Sequence, residues 1–232
     1  MLSEGQYIKP VKAELLLHSL SEFSDIILKT MELIAPKHVV EIGVENGAFT
    51  LRLLEWLQPR GAHLTSIDPS PCFEWPEDRE YLRHAHTMST GRSPEILKSV
   101  PHADIYLLDG DHNYWCVLQE LREIEARSDG AYPVVIFHDV GWPCARRDLY
   151  YAPGLLPQES VHPHSFDMGV VQECGGLVKG GFRSEGKFAL ARHEGGARNG
   201  VLTAVEDFMK ETPGYELFLI PVIFGLGFLV PS

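Results

Sequence analysis

The chain has 232 residues, 44% of them apolar, enough to bury a substantial core in one generous domain, so a disordered or collagen-like chain is excluded. Acidic residues outnumber Lys plus Arg by 32 to 20, and the net charge of −12 opposes non-specific binding to nucleic acid or to an anionic membrane. A small neutral or cationic ligand suits such a chain better.

Met1–Pro10 is polar, and no secretory signal is expected. Ser19-Leu20-Ser21-Glu22 has capping-box spacing, and Phe23, Ile26, Ile27, Met31 and Ile34 recur at helical intervals until Pro36, which predicts an amphipathic helix closing an N-terminal helical segment over residues 1–36. Short apolar runs then alternate with helical stretches. The runs are His38–Ile42, His63–Ile67, Tyr81–Ala85, Asp104–Leu108 and Val134–Phe137, and the helices are Gly47–Leu57, Pro94–Ser99 and Tyr114–Ala126. Ser93-Pro94 and Asn113 supply helix starts, and Asp129-Gly130 a stop. This rhythm implies a parallel sheet covered on both faces. It fails over residues 141–200, where four prolines and many glycines predict a functional insertion or lid, with Arg146, Arg147, Tyr150, Tyr151, His162 and His164 as candidate acceptor contacts. A helix at Val201–Lys210 and the runs Tyr215–Ile220 and Phe224–Val230 follow, and the short break at Pro221 favours an antiparallel final pair. The uncharged stretch from Leu217 to Val230 is too short and too broken by Pro and Gly to span a bilayer. Cys72, Cys116, Cys144 and Cys174 form no C-x-x-C pair, so reduced, cytoplasmic thiols are expected.

Two segments carry chemistry. In the first, Glu41-Ile42-Gly43-Val44-Glu45-Asn46-Gly47 runs from a strand through a glycine turn into a helix, and Asp68 ends the next strand. Gly43 lets the backbone approach a ligand, Asp68 can accept both hydroxyls of a ribose, and Glu41 suits a cationic ligand while repelling a pyrophosphate. The third glycine of a dinucleotide fingerprint is missing, which disfavours a nicotinamide-dependent oxidoreductase. In the second segment, Asp109, Asp111 and His112 leave one strand end while His138 and Asp139 leave its neighbour. Three carboxylates in one place call for a cation: Mg²⁺ or Mn²⁺ by the hard oxygen donors, with the imidazole of His138 tilting the choice toward Mn²⁺ or another transition ion. A non-catalytic nucleoside-binding module would need no such cluster.

The glycine turn, with Ile67-Asp68-Pro69, resembles the first two motifs of class I S-adenosylmethionine-dependent methyltransferases. The resemblance implies a Rossmann-like α/β fold over a single domain of residues 1–232: seven strands, mostly parallel, the last antiparallel, with helices on both faces. It places the methionyl part of the cofactor on Gly43 and Gly47, with Glu41 beside them, and the ribose on Asp68. Thr90-Gly91-Arg92-Ser93 resembles the adenine-contacting segment of the catechol-type and macrolide-sugar branches, which implicates Gly91 and Ser93. Where relatives often have Ser or Thr for the methionyl carboxylate, this chain has Phe49, and Thr50 is the expected substitute.

Asp-Gly-Asp-His-x-Tyr at 109–114, followed by Phe-His-Asp-Val at 137–140, resembles metal-dependent O-methyltransferases acting on sugar or phenolic hydroxyls. By position, Asp109, His138 and Asp139 fall on the metal ligands, with Asp109 also beside the cofactor. His112 falls on the base of the macrolide-sugar enzymes and Asp111 on that of the aminocoumarin-sugar branch. His138 departs from the Asp or Glu usual in relatives. The expected activity is a metal-assisted O-methylation of a saccharide or glycosylated metabolite, or alternatively of a catechol-like phenol. The expected partners are a small-molecule or oligosaccharide hydroxyl acceptor, with no nucleic acid and no membrane, and a second copy of the chain in a candidate homodimer.

Overall fold

The structure, a computed structural model, describes residues 19–183 and 185–232. A 3-10 turn (Leu20–Phe23) leads into α1 (Ser24–Ile34). Then come β1 (His38–Ile42), α2 (Ala48–Leu57), β2 (His63–Asp68), β3 (His86–Thr90), α3 (Ser93–Ile96), β4 (Ile105–Leu108), α4 (Tyr114–Ala126) and β5 (Val134–His138). The insertion adds short strands β6 (Leu149–Tyr150), β7 (His164–Ser165), β8 (Gly169–Val171), β9 (Cys174–Val178) and β10 (Ala189–Ala191). The chain closes with α5 (Val201–Glu211), β11 (Tyr215–Ile220) and β12 (Leu226–Pro231). The part of the expected N-terminal helical segment before Ser19 lies outside the described residues.

Seven strands form one sheet in the order β11-β12-β5-β4-β1-β2-β3. All pairings among β1 to β5 are parallel, while β12 runs antiparallel to both β5 and β11. Strand side chains alternate between faces, and here they feed two cores. Val40, Ile42, Tyr106, Leu108, Val135 and Phe137 cluster with residues of α4 and α5, whereas Val39, Leu64, Ile105, Leu107 and Ile136 cluster with α1 and α2. Helices therefore cover both faces, and the central strands can be apolar throughout. The strand order reverses between β1 and β4, so the ligand crevice of such a sheet opens at their carboxyl ends.

The third run is displaced from where its apolar residues put it. Tyr81–Ala85 is the end of a 3-10 segment, Glu77–Ala85, and β3 begins only at His86. Acids fill the first turn of that segment and Arg83 and His84 its last, the order a helix dipole favours, while Leu82 and Ala85 bury its inner side. As an edge strand, β3 can be built from polar residues, and His-Thr-Met-Ser-Thr has no apolar run to find. Ser93 also differs from its expected capping role: Arg92 holds the N-cap position of α3 and Ser93 is its first helical residue. Asn113 does cap α4, accepting from the Cys116 N–H at 3.0 Å.

Two buried charges hold the insertion, one tying it to the starts of α4 and α5 and the other tying it to itself. Asp148 accepts from the N–H groups of Tyr114 and Gly200 and from the Tyr150 hydroxyl, each at 2.7 Å. Arg147, with no exposed surface, donates to the carbonyls of Ala191 at 2.5 Å and Gly175 at 2.7 Å. Leu149, Val170 and Leu190 continue the core on the α4/α5 side. Among the described residues no helix is long and apolar enough to cross a membrane.

Leu107 lies at the middle of the sheet with none of its surface exposed. Leu107→Ala should lower the free energy of unfolding by about 2–5 kcal/mol, through lost transfer energy and a residual cavity, measurable by denaturant titration.

Candidate active site

The β1–α2 turn is built by close approach. Gly43 (φ +90°) follows β1, and a Cβ there would overlap the carbonyl oxygen of Asp109 at the exit of β4. Gly47 (φ +77°) leads into α2 under the ring of Phe73, which would meet any Cβ added to it. Both glycines are thus required by the protein's own packing. The Asp68 carboxylate clamps the turn, accepting from the N–H groups of Val44 at 2.9 Å, Glu45 at 3.2 Å and Ser70 at 2.7 Å, and it stays half-buried at the end of β2. Gly91 adjoins it, its N–H on the Asp68 carbonyl at 3.1 Å.

Two expected cofactor contacts are buried and bonded to the protein itself. Glu41 is buried and accepts from the hydroxyls of Thr50 at 2.8 Å and Ser66 at 2.7 Å. Thr50, wholly buried, spends its hydroxyl there and presents nothing to a ligand. Phe49 fills the α1/α2-side core, the physical reason a polar residue is missing at that position. Burial pushes the Glu41 carboxyl up to about 7 against the lowering effect of its two hydroxyl donors. Ser93 is likewise turned inward, its hydroxyl on the carboxyl of Glu120 of α4, which burial pushes up to about 8.

The charged cluster forms where β4 and β5 end side by side. The Nδ1 of His138 lies 2.7 Å from Asp139 Oδ2 and 3.2 Å from Asp109 Oδ1, and the Nδ1 of His112 lies 2.9 Å from the same Asp139 oxygen. Asp109 Oδ2 accepts from the Leu20 N–H at 3.1 Å. Asp139 is held in left-handed backbone (φ +63°) facing Phe224 (φ +62°), and the two turns interlock through Gly141 N–H to Phe224 O at 2.5 Å and Phe224 N–H to Trp142 O at 2.7 Å. Non-glycine residues in that region store strain that the surroundings must hold. The Phe224 ring stacks on His138 at 5.8 Å, and Phe23 approaches it at 5.9 Å.

Electrostatics follow from this geometry. Burial opposes charge on His112, but Asp139 and then Asp109 outweigh it and push the imidazole up to about 9. Burial likewise opposes charge on His138, and the same two carboxylates raise it well above the usual imidazole range. Burial alone would raise Asp139, yet the two histidines hold it well below the carboxylate range. Asp111 makes none of these bonds. Its Oδ2 accepts from the Cys116 thiol at 3.2 Å, its Oδ1 is buried without a hydrogen-bond partner, and burial raises its carboxyl. A cavity of about 10 Å³, no larger than one water molecule, lies between Asp111, His112, Glu120 and His138.

Of the six insertion residues expected at the acceptor, Tyr151 alone reaches the cluster, its hydroxyl 3.3 Å from His112 Nε2. Arg146 pairs with Glu206 of α5 at 2.6 Å, Arg147 and Tyr150 hold the insertion together, and His162 and His164 bond the carbonyls of Arg198 and His162. The sequence reading passed over the rings of Phe23, Phe182, Phe188 and Phe224, which extend from His138 and Tyr151. It also passed over Glu120, whose signal was a carboxyl on the apolar face of Val117, Leu121 and Ile124.

A family model described as a methyltransferase domain matches residues 40–140. Among solved structures, an O-methyltransferase from Bacillus cereus in complex with SAH is 12% identical, with a TM-score of 0.51 over 95% of this chain and 86% of that one. A SAH-bound methyltransferase from Podospora anserina is 15% identical, with a TM-score of 0.50 over 90% of this chain and 78% of that one. The fold is the methyltransferase fold. No curated protein matches the chain. In this methyltransferase fold the glycine turn and Asp68 line one side of the crevice, and Asp109, His112, His138 and Asp139 lie at the neighbouring strand ends. Ligand atoms of Asp109, His138 and Asp139 all lie within 4.8 Å of one another, and two carboxylates with one imidazole fit a divalent cation.

The raised Glu41 predicts a pH dependence of stability. A carboxyl lifted from 4.5 to about 7 on folding stabilises the native state below pH 4.5, and that contribution is lost as pH rises through 7. Glu41→Gln keeps an acceptor for both hydroxyls without ionising. The stability of wild type relative to this variant should fall by on the order of 3 kcal/mol between pH 4.5 and 8, read from denaturant unfolding at each pH.

Proposed function

We propose that this protein is an S-adenosylmethionine-dependent O-methyltransferase that uses a divalent cation and methylates a hydroxyl of a saccharide or glycosylated metabolite. The observation that carries the reading is the convergence of Asp109, His112, His138 and Asp139 at two adjacent strand ends, one step from a glycine turn at the reversal of strand order. A nicotinamide enzyme or a nucleoside-binding module has no use for that convergence.

S-adenosylmethionine supplies an electrophilic methyl group on a sulfonium, and a divalent cation held by Asp109, His138 and Asp139 would supply Lewis acidity that eases ionisation of a hydroxyl. Asp68 is the acceptor for the ribose hydroxyls, and Gly43, Gly47 and Gly91 shape the crevice beside it. His112 is the base: its Nδ1 is tied to Asp139, which leaves Nε2 to take the proton from the acceptor oxygen, at the point the Tyr151 hydroxyl now marks. Asp111, turned to Cys116 and buried, supports the segment that carries His112. Charge is neutralised as the methyl moves, so the low polarity that the aromatic rings lend the site favours transfer. Those rings also favour a second reading, a phenolic acceptor lying flat against Tyr151, Phe188 and Phe182.

Calorimetry with S-adenosylmethionine and with NADH, followed by a methyl-transfer screen over sugars and phenols, tests the reading, and preference for NADH would overturn it. Asp68→Ala should weaken S-adenosylmethionine binding by about 1.5–3 kcal/mol, the loss of a charged acceptor from two hydroxyls. An unchanged dissociation constant removes Asp68 from the site.

His112→Ala should lower kcat by about 10²–10⁴-fold with cofactor affinity intact. The wild-type rate should rise with pH through an ionisation lifted above the usual histidine value by Asp139, and that limb should vanish in the variant. If Asp111→Ala is dead while His112→Ala keeps near-normal kcat, the base is Asp111.

A further inference from the structure

We propose that the ion taken up between the carboxyl ends of β4 and β5 is a divalent transition ion of the manganese-to-zinc series rather than Mg²⁺, and that His138 makes the choice. This deepens the function proposed above and rests on it only for the use to which the ion is put.

The donor set is the first argument. Asp109 and Asp139 bring one carboxylate oxygen each, and the third position is an imidazole nitrogen, His138 Nδ1, at 3.2 and 2.7 Å from those oxygens. Mg²⁺ takes oxygen donors in a tight octahedron and depends on their charge, whereas imidazole suits the transition ions, whose affinity rises along the series toward copper. A carboxylate in place of His138 would add a third negative charge. The imidazole withholds that charge and offers nitrogen instead.

Rigidity is the second argument. The His138 side chain is only 2% exposed and its ring packs against those of Phe224 and Phe23, which holds Nδ1 toward the two carboxylates. The carboxylates are fixed too. Leu20 N–H holds the outer oxygen of Asp109, leaving Oδ1 inward, and His112 donates to Asp139, an outer-shell bond of the kind that orients ligands and tunes an ion's surroundings. A cage this preformed expresses the preference of its donors.

The full chain, stripped of metal, is titrated with Co²⁺ and followed by its ligand-field absorption, then challenged with Mg²⁺. The Mn²⁺-loaded protein is examined by pulsed EPR for coupling to ¹⁴N. Wild type should bind one Co²⁺ that resists roughly a hundredfold excess of Mg²⁺ and should show ¹⁴N coupling to Mn²⁺. In His138→Asp the coupling should be lost, and Mg²⁺ should displace Co²⁺ at an excess at least about tenfold smaller. Should that variant not fold, the ¹⁴N signal of wild type still decides. Displacement of Co²⁺ by equimolar Mg²⁺, absence of ¹⁴N coupling, its persistence in His138→Asp, or an unchanged competition ratio overturns the inference. Failure to bind any ion overturns it together with cation assistance, while S-adenosylmethionine calorimetry on the same stripped protein reports separately on methyl transfer.

Discussion

A carboxylate taken out of water must be met by donors or by a cation, and Asp139 is where that constraint shapes this chain most. It is almost wholly buried, in left-handed backbone, at the end of a central strand. Two imidazoles meet one of its oxygens, and each must be delivered by a different element, His112 by the β4–α4 loop and His138 by β5 itself. The interlocked turns at Gly141 and Phe224 hold the backbone conformation that this requires. Three other buried acids are met by uncharged donors: Glu41 by two hydroxyls, Glu120 by one, and Asp148 by two N–H groups and a phenol, whereas Asp111 has only the Cys116 thiol on one oxygen.

Asp148 and Arg147 extend the logic to the insertion. Loops packed only by their surface open at little cost in free energy, but this one carries two buried, hydrogen-bonded charges and contributes Leu149, Val170 and Leu190 to the core. Tyr151 follows directly, and its place over His112 is inherited from that anchorage. Arg92 ties the far end of the same stretch, donating to the Leu155 carbonyl at 2.8 Å, so the chain from Tyr151 to Leu155 bridges the proposed base and the Gly91 segment.

Sequence pattern was enough for the sheet because buried parallel strands must be apolar, and six of its seven strands were found that way. It failed at β3, an edge strand that needs no apolar run, and took the buried side of Glu77–Ala85 in its place. At the site, residue types and spacing brought Asp109, His112, His138 and Asp139 together, because strand ends in such a fold share one edge. The buried partners of Glu41, Thr50 and Ser93 were not legible, since a polar residue next to a glycine turn looks the same whether it faces ligand or core. Their partners Ser66 and Glu120 are distant in sequence. Phe224 carried no signal at all, because an aromatic in an apolar run says nothing of a positive φ or of a ring lying on His138.

The bond that fixes His112 also works against the proposed role of its imidazole as a base. With its pKa pushed up to about 9 by Asp139 and Asp109, the imidazole favours its protonated form at neutral pH. The cause is the combined field of Asp139 and Asp109, and positive charge placed against those carboxylates shares that field and weakens its hold on His112. His138 already carries part of that charge as a proton on the nitrogen that faces both acids. A divalent cation held by Asp109, His138 and Asp139 would match the carboxylates more fully than that single proton does, and His112 would be correspondingly easier to deprotonate. Charge at His138 and basicity at His112 are therefore set by one electrostatic balance, with Asp139 as the fulcrum.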